Sequence, residues 1–187
     1  MDNFLKKKNE KQKGFTLVEL LVSMTIFSLI ITSVSGSITS ILQAQRKLLS
    51  LQELSEQASY AEEYMSRTIR MAAKDVDGAC IGSRENYQIT RGGEGIKFLN
   101  YDNECQEFYL FNNQLWENKN GEDTELTSNA LKIEVFNINL LGEFQTDSIQ
   151  PRVTLFLKIK GTGPGPEEQA EMQIQTTLSQ RKLDVRY

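Results

Sequence analysis

The chain has 187 residues, room for one domain plus an accessory segment, and its 39% hydrophobic and 25% charged content excludes both a disordered tail and a polytopic membrane protein. Histidine is absent, which removes Ser-His-Asp and Cys-His catalysis and every imidazole-bound metal site; two cysteines are too few for a zinc cage. The net charge of −4 is uneven: residues 1–14 carry five lysines against Asp2 and Glu10, residues 15–74 are neutral, and residues 75–187 carry −7. So acidic a bulk repels phosphate at long range, and no specific nucleic-acid partner is expected.

Residues 1–13 are polar and lysine-rich. From Phe15 to Leu42 the chain is apolar with one charge, Glu19. As a helix this run reaches about 42 Å, enough for a hydrocarbon layer of about 30 Å. Its serines and threonines can donate back to the helix's own carbonyls, which limits their cost in lipid. Lysines ahead of the run hold the N-terminus in the cytoplasm and place the rest of the chain outside. A secretory signal with cleavage near Val34 to Gly36 is the alternative. The length of the run and Glu19 inside it argue against that, because a carboxylate in lipid is costly and calls for a partner.

Lys13-Gly14-Phe15-Thr16-Leu17-Val18-Glu19-Leu20-Leu21 resembles the class III signal of type IV pilins and type II secretion pseudopilins: a basic leader, a glycine, a phenylalanine, and a glutamate five residues into the mature chain. The resemblance implies a leader at 1–14, cut by prepilin peptidase between Gly14 and Phe15, with Phe15 then N-methylated. Glycine at position 14 leaves the backbone open to the peptidase. It also implies that Glu19 meets the N-terminal amine of a neighbouring subunit, which offsets the cost of a buried charge and sets the axial register. Expected partners are the peptidase, other pilins or pseudopilins in a filament or tip complex, the inner-membrane assembly platform and the membrane itself. The expected location is a single pass of the cytoplasmic membrane, N-terminus inside and head outside, with later extraction into a filament. The chain is expected not to be an enzyme and to need no cofactor or metal.

Ser35-Gly36-Ser37 reads as a soft break in the helix, since glycine costs about 1 kcal/mol relative to alanine there. Beyond it Ala44, Leu48, Leu51, Leu54, Ala58, Ala61, Met65, Ile69 and Ala72 recur at helical spacing. No proline precedes Pro151, so one helix is expected from about Phe15 to Ala73, with 15–43 as its membrane half and 44–74 as its amphipathic half. A coiled coil is the rival reading of the stripe, although Ala58 and Ala61 suit close packing on a sheet. Asp75-Val76-Asp77-Gly78 reads as a C-cap and turn with a left-handed glycine rather than the start of a calcium loop.

Beyond Gly78 the period shifts to two. Strands are expected at 95–100, 107–111, 114–117, 131–141, 152–160 and 172–178, with a turn at Asn112-Asn113 and a loop at 161–166. In 131–141, Leu131, Ile133 and Val135 are expected on one face against Lys132, Glu134 and Phe136. The fold class is α+β: a long N-terminal helix packed on an antiparallel sheet in a pilin-like head at 75–187. The order of elements resembles a larger minor subunit, of the J-type pseudopilins or the W-type minor pilins. That implies a structural subunit which initiates or caps a filament; the alternative is a displayed tip subunit that binds DNA, a surface or a secretion substrate. Arg181, Lys182 and Arg186 form a small basic C-terminus, and the acidic pairs Glu122-Asp123 and Glu167-Glu168 read as solvated turn residues. Cys80 and Cys105 would close a loop of about 26 residues if bonded, in what the argued topology makes an oxidising space. Two separately buried thiols are the alternative.

Overall fold

The computed structural model describes residues 14–143, 149–166 and 169–182. The leader up to Lys13, the Glu167-Glu168 pair and Arg186 lie outside the described residues. The chain divides into two compact units, Met1–Gln43 and Ala44–Tyr187. Among the described residues one α-helix, α1, occupies Leu17–Arg70, and eight strands follow, with a short 3-10 turn at Arg91–Gly93 after the first: β1 Gln88–Thr90, β2 Gly95–Leu99, β3 Cys105–Phe111, β4 Gln114–Lys119, β5 Glu122–Glu125, β6 Leu131–Leu141, β7 Arg152–Gly161 and β8 Glu171–Ser179. The fold is α+β, a long N-terminal helix with an antiparallel β head.

In the first unit the helix is apolar on every side and wholly exposed. Side chains such as Leu17, Met24, Phe27 and Leu29 are all more than half uncovered. Its hydroxyls turn inward: Ser23 donates to Glu19 O at 2.6 Å, Ser28 to Met24 O at 2.8 Å, Ser33 to Leu29 O at 2.9 Å and Ser40 to Gly36 O at 3.1 Å. Those bonds use acceptors that already belong to the helix ladder, so these hydroxyls do not need water. The soft break expected at Ser35-Gly36-Ser37 does not occur; the helix runs through it. One glycine without proline removes no ladder bond.

In the second unit the helix becomes one wall of the core. Leu54, Ala58, Ala61, Met65 and Ile69 are buried, packed with Ile96, Phe98 and Phe108 of one sheet and Ile133, Phe136, Leu155 and Ile159 of the other. The alanines bring the helix backbone close to the strands. Burial of the expected stripe starts only near Leu51; Ala44 and Leu48 are exposed. Sheets rather than a second helix cover the stripe.

Two sheets replace the single expected one: five strands in order β1-β2-β3-β4-β5 and three in order β6-β7-β8, every pairing antiparallel. The β3–β4 and β4–β5 hairpins turn on Asn112-Asn113 (φ 50 and 62) and Asn120-Gly121 (φ 52 and 90). Two successive positive φ values match the right-handed twist of the flanking strands, and asparagine and glycine tolerate them best. Sequence periodicity missed β1 and β5. β1 is three residues long, and β5 (Glu-Asp-Thr-Glu) has no buried side at all.

The face expected for β6 is wrong beyond Ile133. A register shift between Ile133 and Val135 leaves Glu134 and Val135 both exposed and sends Phe136 inward, 1% exposed. A bulge inserts one residue and reverses the alternation after it. Phe136 is the bulkier side chain, and it fills the core that a strict period of two would have given to Val135.

The helix also ends earlier than expected, at Arg70, and Gly78 is not its cap. Its last carbonyls are claimed from elsewhere in the head: Tyr87 Oη donates to Ile69 O at 2.7 Å and Arg181 N to Arg70 O at 2.7 Å; just beyond the helix Gln180 Nε2 donates to Ala72 O at 3.0 Å and Ala73 bridges to Leu99. Gly78 takes φ +73 inside a separate loop. That loop is organised by Asp75, 1% exposed. Its Oδ1 accepts from Gly78 and Ala79 N–H at 2.8 and 3.0 Å, and its Oδ2 from Cys80 and Ile81 N–H at 2.7 and 2.9 Å. The carboxylate is fully used by backbone donors, and no group of three or more metal-ligating acids or cysteines exists among the described residues.

A Cys80–Cys105 disulfide, with Cα atoms 5.3 Å apart, ties this loop to the start of β3. It closes 25 positions of chain, for which the chain-entropy estimate is about 3.5 kcal/mol. Cys80→Ser with Cys105→Ser is expected to lower the melting temperature of the head by about 10 °C, followed through Trp116 fluorescence with and without reductant. The bond contributes nothing if the double variant melts with the oxidised parent.

Candidate processing and assembly site

Gly14, Phe15 and Thr16 precede the first helical residue, Leu17. Phe15 is 80% exposed, and a Cβ placed on Gly14 would meet nothing within 4 Å. The bond between them lies outside the helix ladder, as a protease needs, because an extended segment can enter an active site and a helical one cannot. Thr16 then caps α1. Thr16 N–H and Oγ donate to Glu19 Oε2 at 3.0 and 2.9 Å, and Glu19 N–H donates to Thr16 Oγ at 3.3 Å. This is a reciprocal capping box, with threonine at the N-cap and glutamate three residues on. It satisfies two of the four orphan N–H groups at the helix start and places the carboxylate against the positive end of the helix dipole.

Thr16 went unnoticed in the sequence reading, although the signal was available as Thr16-x-x-Glu19. Local pairing also changes the account of Glu19. The carboxylate is not bare in the isolated chain: Oε2 is taken by Thr16, while Oε1 accepts no hydrogen bond among the described residues. One oxygen therefore holds the helix end and the other stays open to a further donor. Gly14, Phe15 and Glu19 thus stand within one short stretch. Cys80 and Cys105 belong to the other unit, bonded to each other.

Residues 10–35 match the model of the prokaryotic N-terminal methylation motif. The match supports a type IV pilin-like chain. Such a motif is processed by prepilin peptidase, and proteins carrying it assemble with other pilins. The pilin-like reading agrees with α1, which is near the N-terminus and is the one described helix long and apolar enough to cross a membrane. Together they fit a single-pass anchor. No curated protein and no solved structure matches the chain.

Proposed function

We propose that this chain is a minor pilin or pseudopilin, of the kind that initiates or caps a type IV pilus-like or type II secretion filament. The observation that carries the reading is the coincidence, within six residues, of an unfolded glycine–phenylalanine bond, a capped helix start and a glutamate with one free oxygen, at the head of a helix bare enough for lipid. Prepilin peptidase removes residues 1–14 and methylates the Phe15 amine. The mature chain then waits in the membrane as a single span. On assembly, Glu19 Oε1 receives the amine of the adjoining subunit while Oε2 keeps its bonds to Thr16, so the charge is paired without undoing the helix end. The size of the β head and its order of elements favour a minor subunit of the J or W type over a small major one. A disulfide in the head suits an oxidising space outside the membrane.

Coexpression with a prepilin peptidase, followed by mass spectrometry of the purified chain, tests the first step. The expected mature N-terminus is N-methylated Phe15, and Gly14→Val, which puts a branched side chain at the scissile bond, is expected to leave the leader in place. Cleavage at any other bond sinks the reading.

A further inference from the structure

Both sheets are open, and three of their four edges are protected. β1 is three residues long. β6 carries the bulge and is covered in part by the β3–β4 hairpin, where Ile133 N–H donates to Asn113 O at 2.8 Å and Asn113 Nδ2 to Ile133 O at 3.1 Å. β5 is acidic at three of four positions, so two copies of it repel. β8 is neither short, bulged nor covered, and its one acid, Glu171, is held by Lys158 and Lys160 of β7 at 3.7 and 3.5 Å. Its nine residues contain no proline, lysine or arginine and pair with β7 in unbroken register, and no hydrogen bond among the described residues reaches its outer side.

A groove of about 1020 Å³ runs between the C-terminal half of β8 and the polar face of α1, lined in part by Ser59, Ser66, Arg70, Thr177 and Ser179. Ser66 Oγ is buried there without a hydrogen-bond partner. Glu62 and Glu63 also line the groove, but Glu63 is paired with Arg67 at 2.7 Å. At the far end, four cations gather on an otherwise acidic head. Arg152 is the register partner of Ser179, Arg181 N–H donates to Arg70 O at 2.7 Å, and Lys182 follows. None of the four makes an ion pair among the described residues.

We infer that the outer edge of β8 is a strand-addition site for a second copy of this chain, and that the occupant is the acidic edge strand β5. Main-chain hydrogen bonds supply the attraction common to any added strand. Charge selects the partner: Glu122 and Glu125 of β5 are exposed and outside any ion pair among the described residues, because Lys119, opposite Glu122, is taken by Glu104 at 2.8 Å. The groove beside β8 has room for the incoming backbone, and Ser66 Oγ gains a partner. Donor and acceptor edges lie at different places on one chain, so the contact is head-to-tail and propagates instead of closing as a two-fold dimer. The inference is independent of the processing step: cleavage after Gly14 can fail while the strands still pair.

The test uses two full-length chains in detergent micelles, one carrying Thr177→Cys and the other Thr124→Cys, joined by a short bismaleimide that spares the native disulfide. Cross-linking of 177 to 124 is expected to exceed 177 to 177 and 124 to 124 by about tenfold and to fall with added salt. Glu122→Lys with Glu125→Lys on the β5 chain is expected to abolish it, and Arg70→Glu with Arg181→Glu on the β8 chain to restore it. Unchanged melting temperatures show that the variants fold. Equal yields for all three pairs, dominant 177 to 177 linkage, or no linkage between copies would each overturn the inference.

Discussion

Asp75→Ala is expected to destabilise the head by about 3–5 kcal/mol, the largest effect of any single substitution outside the hydrophobic core. The carboxylate accepts four backbone N–H bonds at 2.7 to 3.0 Å in a buried setting. Bonds to an ionised acceptor contribute about 1.5–3 kcal/mol each, and a buried donor left without a partner costs about 1–3 kcal/mol. The four share one acceptor and are not additive, and water enters the loop once the side chain is gone, so the total falls well below their sum. Asp75→Asn keeps one carbonyl oxygen and turns an N–H pair against two backbone donors; it should cost about 2 kcal/mol or more.

The same contacts set the response to acid. Burial pushes the Asp75 carboxyl up, but the bonds from Ile81, Cys80, Ala79 and Gly78 together outweigh it and hold the group below the ordinary aspartate range. A depressed carboxyl contributes stability that is complete above about pH 4, the unfolded value, and is lost as pH falls through the lower folded value. Melting temperatures of the parent should therefore decline below pH 4 more steeply than those of Asp75→Asn. Parallel acid limbs would show that this carboxylate is not the group that titrates.

At the other end of the chain, Glu19→Gln is expected to leave cleavage after Gly14 intact and to reduce incorporation into filaments by about a hundredfold, since an amine brought to a neutral amide in lipid is left unpaired. Glutamine preserves much of the cap, because its Oε1 still accepts from Thr16, so helix content should not change. Thr16→Val makes the complementary cut. It removes the hydroxyl that holds Oε2 and leaves the charge, and is expected to fray the first turn with a smaller loss of incorporation. Quantifying sheared filaments by immunoblot, with circular dichroism of the purified chains, separates the two. If Thr16→Val and Glu19→Gln behave alike, Glu19 acts through the helix cap alone and the charge-pairing role fails.

Features that depend on neighbours in sequence were legible before the structure. Glycine, phenylalanine and glutamate in register, an apolar run too long for a core helix, the helical stripe from Leu54 to Ile69 and the asparagine turn at 112–113 each express a preference of a few adjacent residues. Even the missed capping box is of this type; Thr16 and Glu19 are three apart, and only the pattern was overlooked.

What lay beyond the sequence depends on partners far along the chain. Whether Val135 or Phe136 faces inward is decided by how β6 pairs with β7, twenty residues on, and the sequence carries no mark of the bulge. Asp75 resembles any turn aspartate until the following residues curl back and aim four N–H groups at it. The helix stops at Arg70, where Tyr87 and Arg181 take up the carbonyls of Ile69 and Arg70, and those two come from opposite ends of the head. Which strands form edges, and that cations flank the end of one edge strand while another is itself acidic, follows from strand order and not from any local pattern. Local chemistry states what a segment prefers; burial and pairing, set by residues a hundred positions away, decide which preference is met.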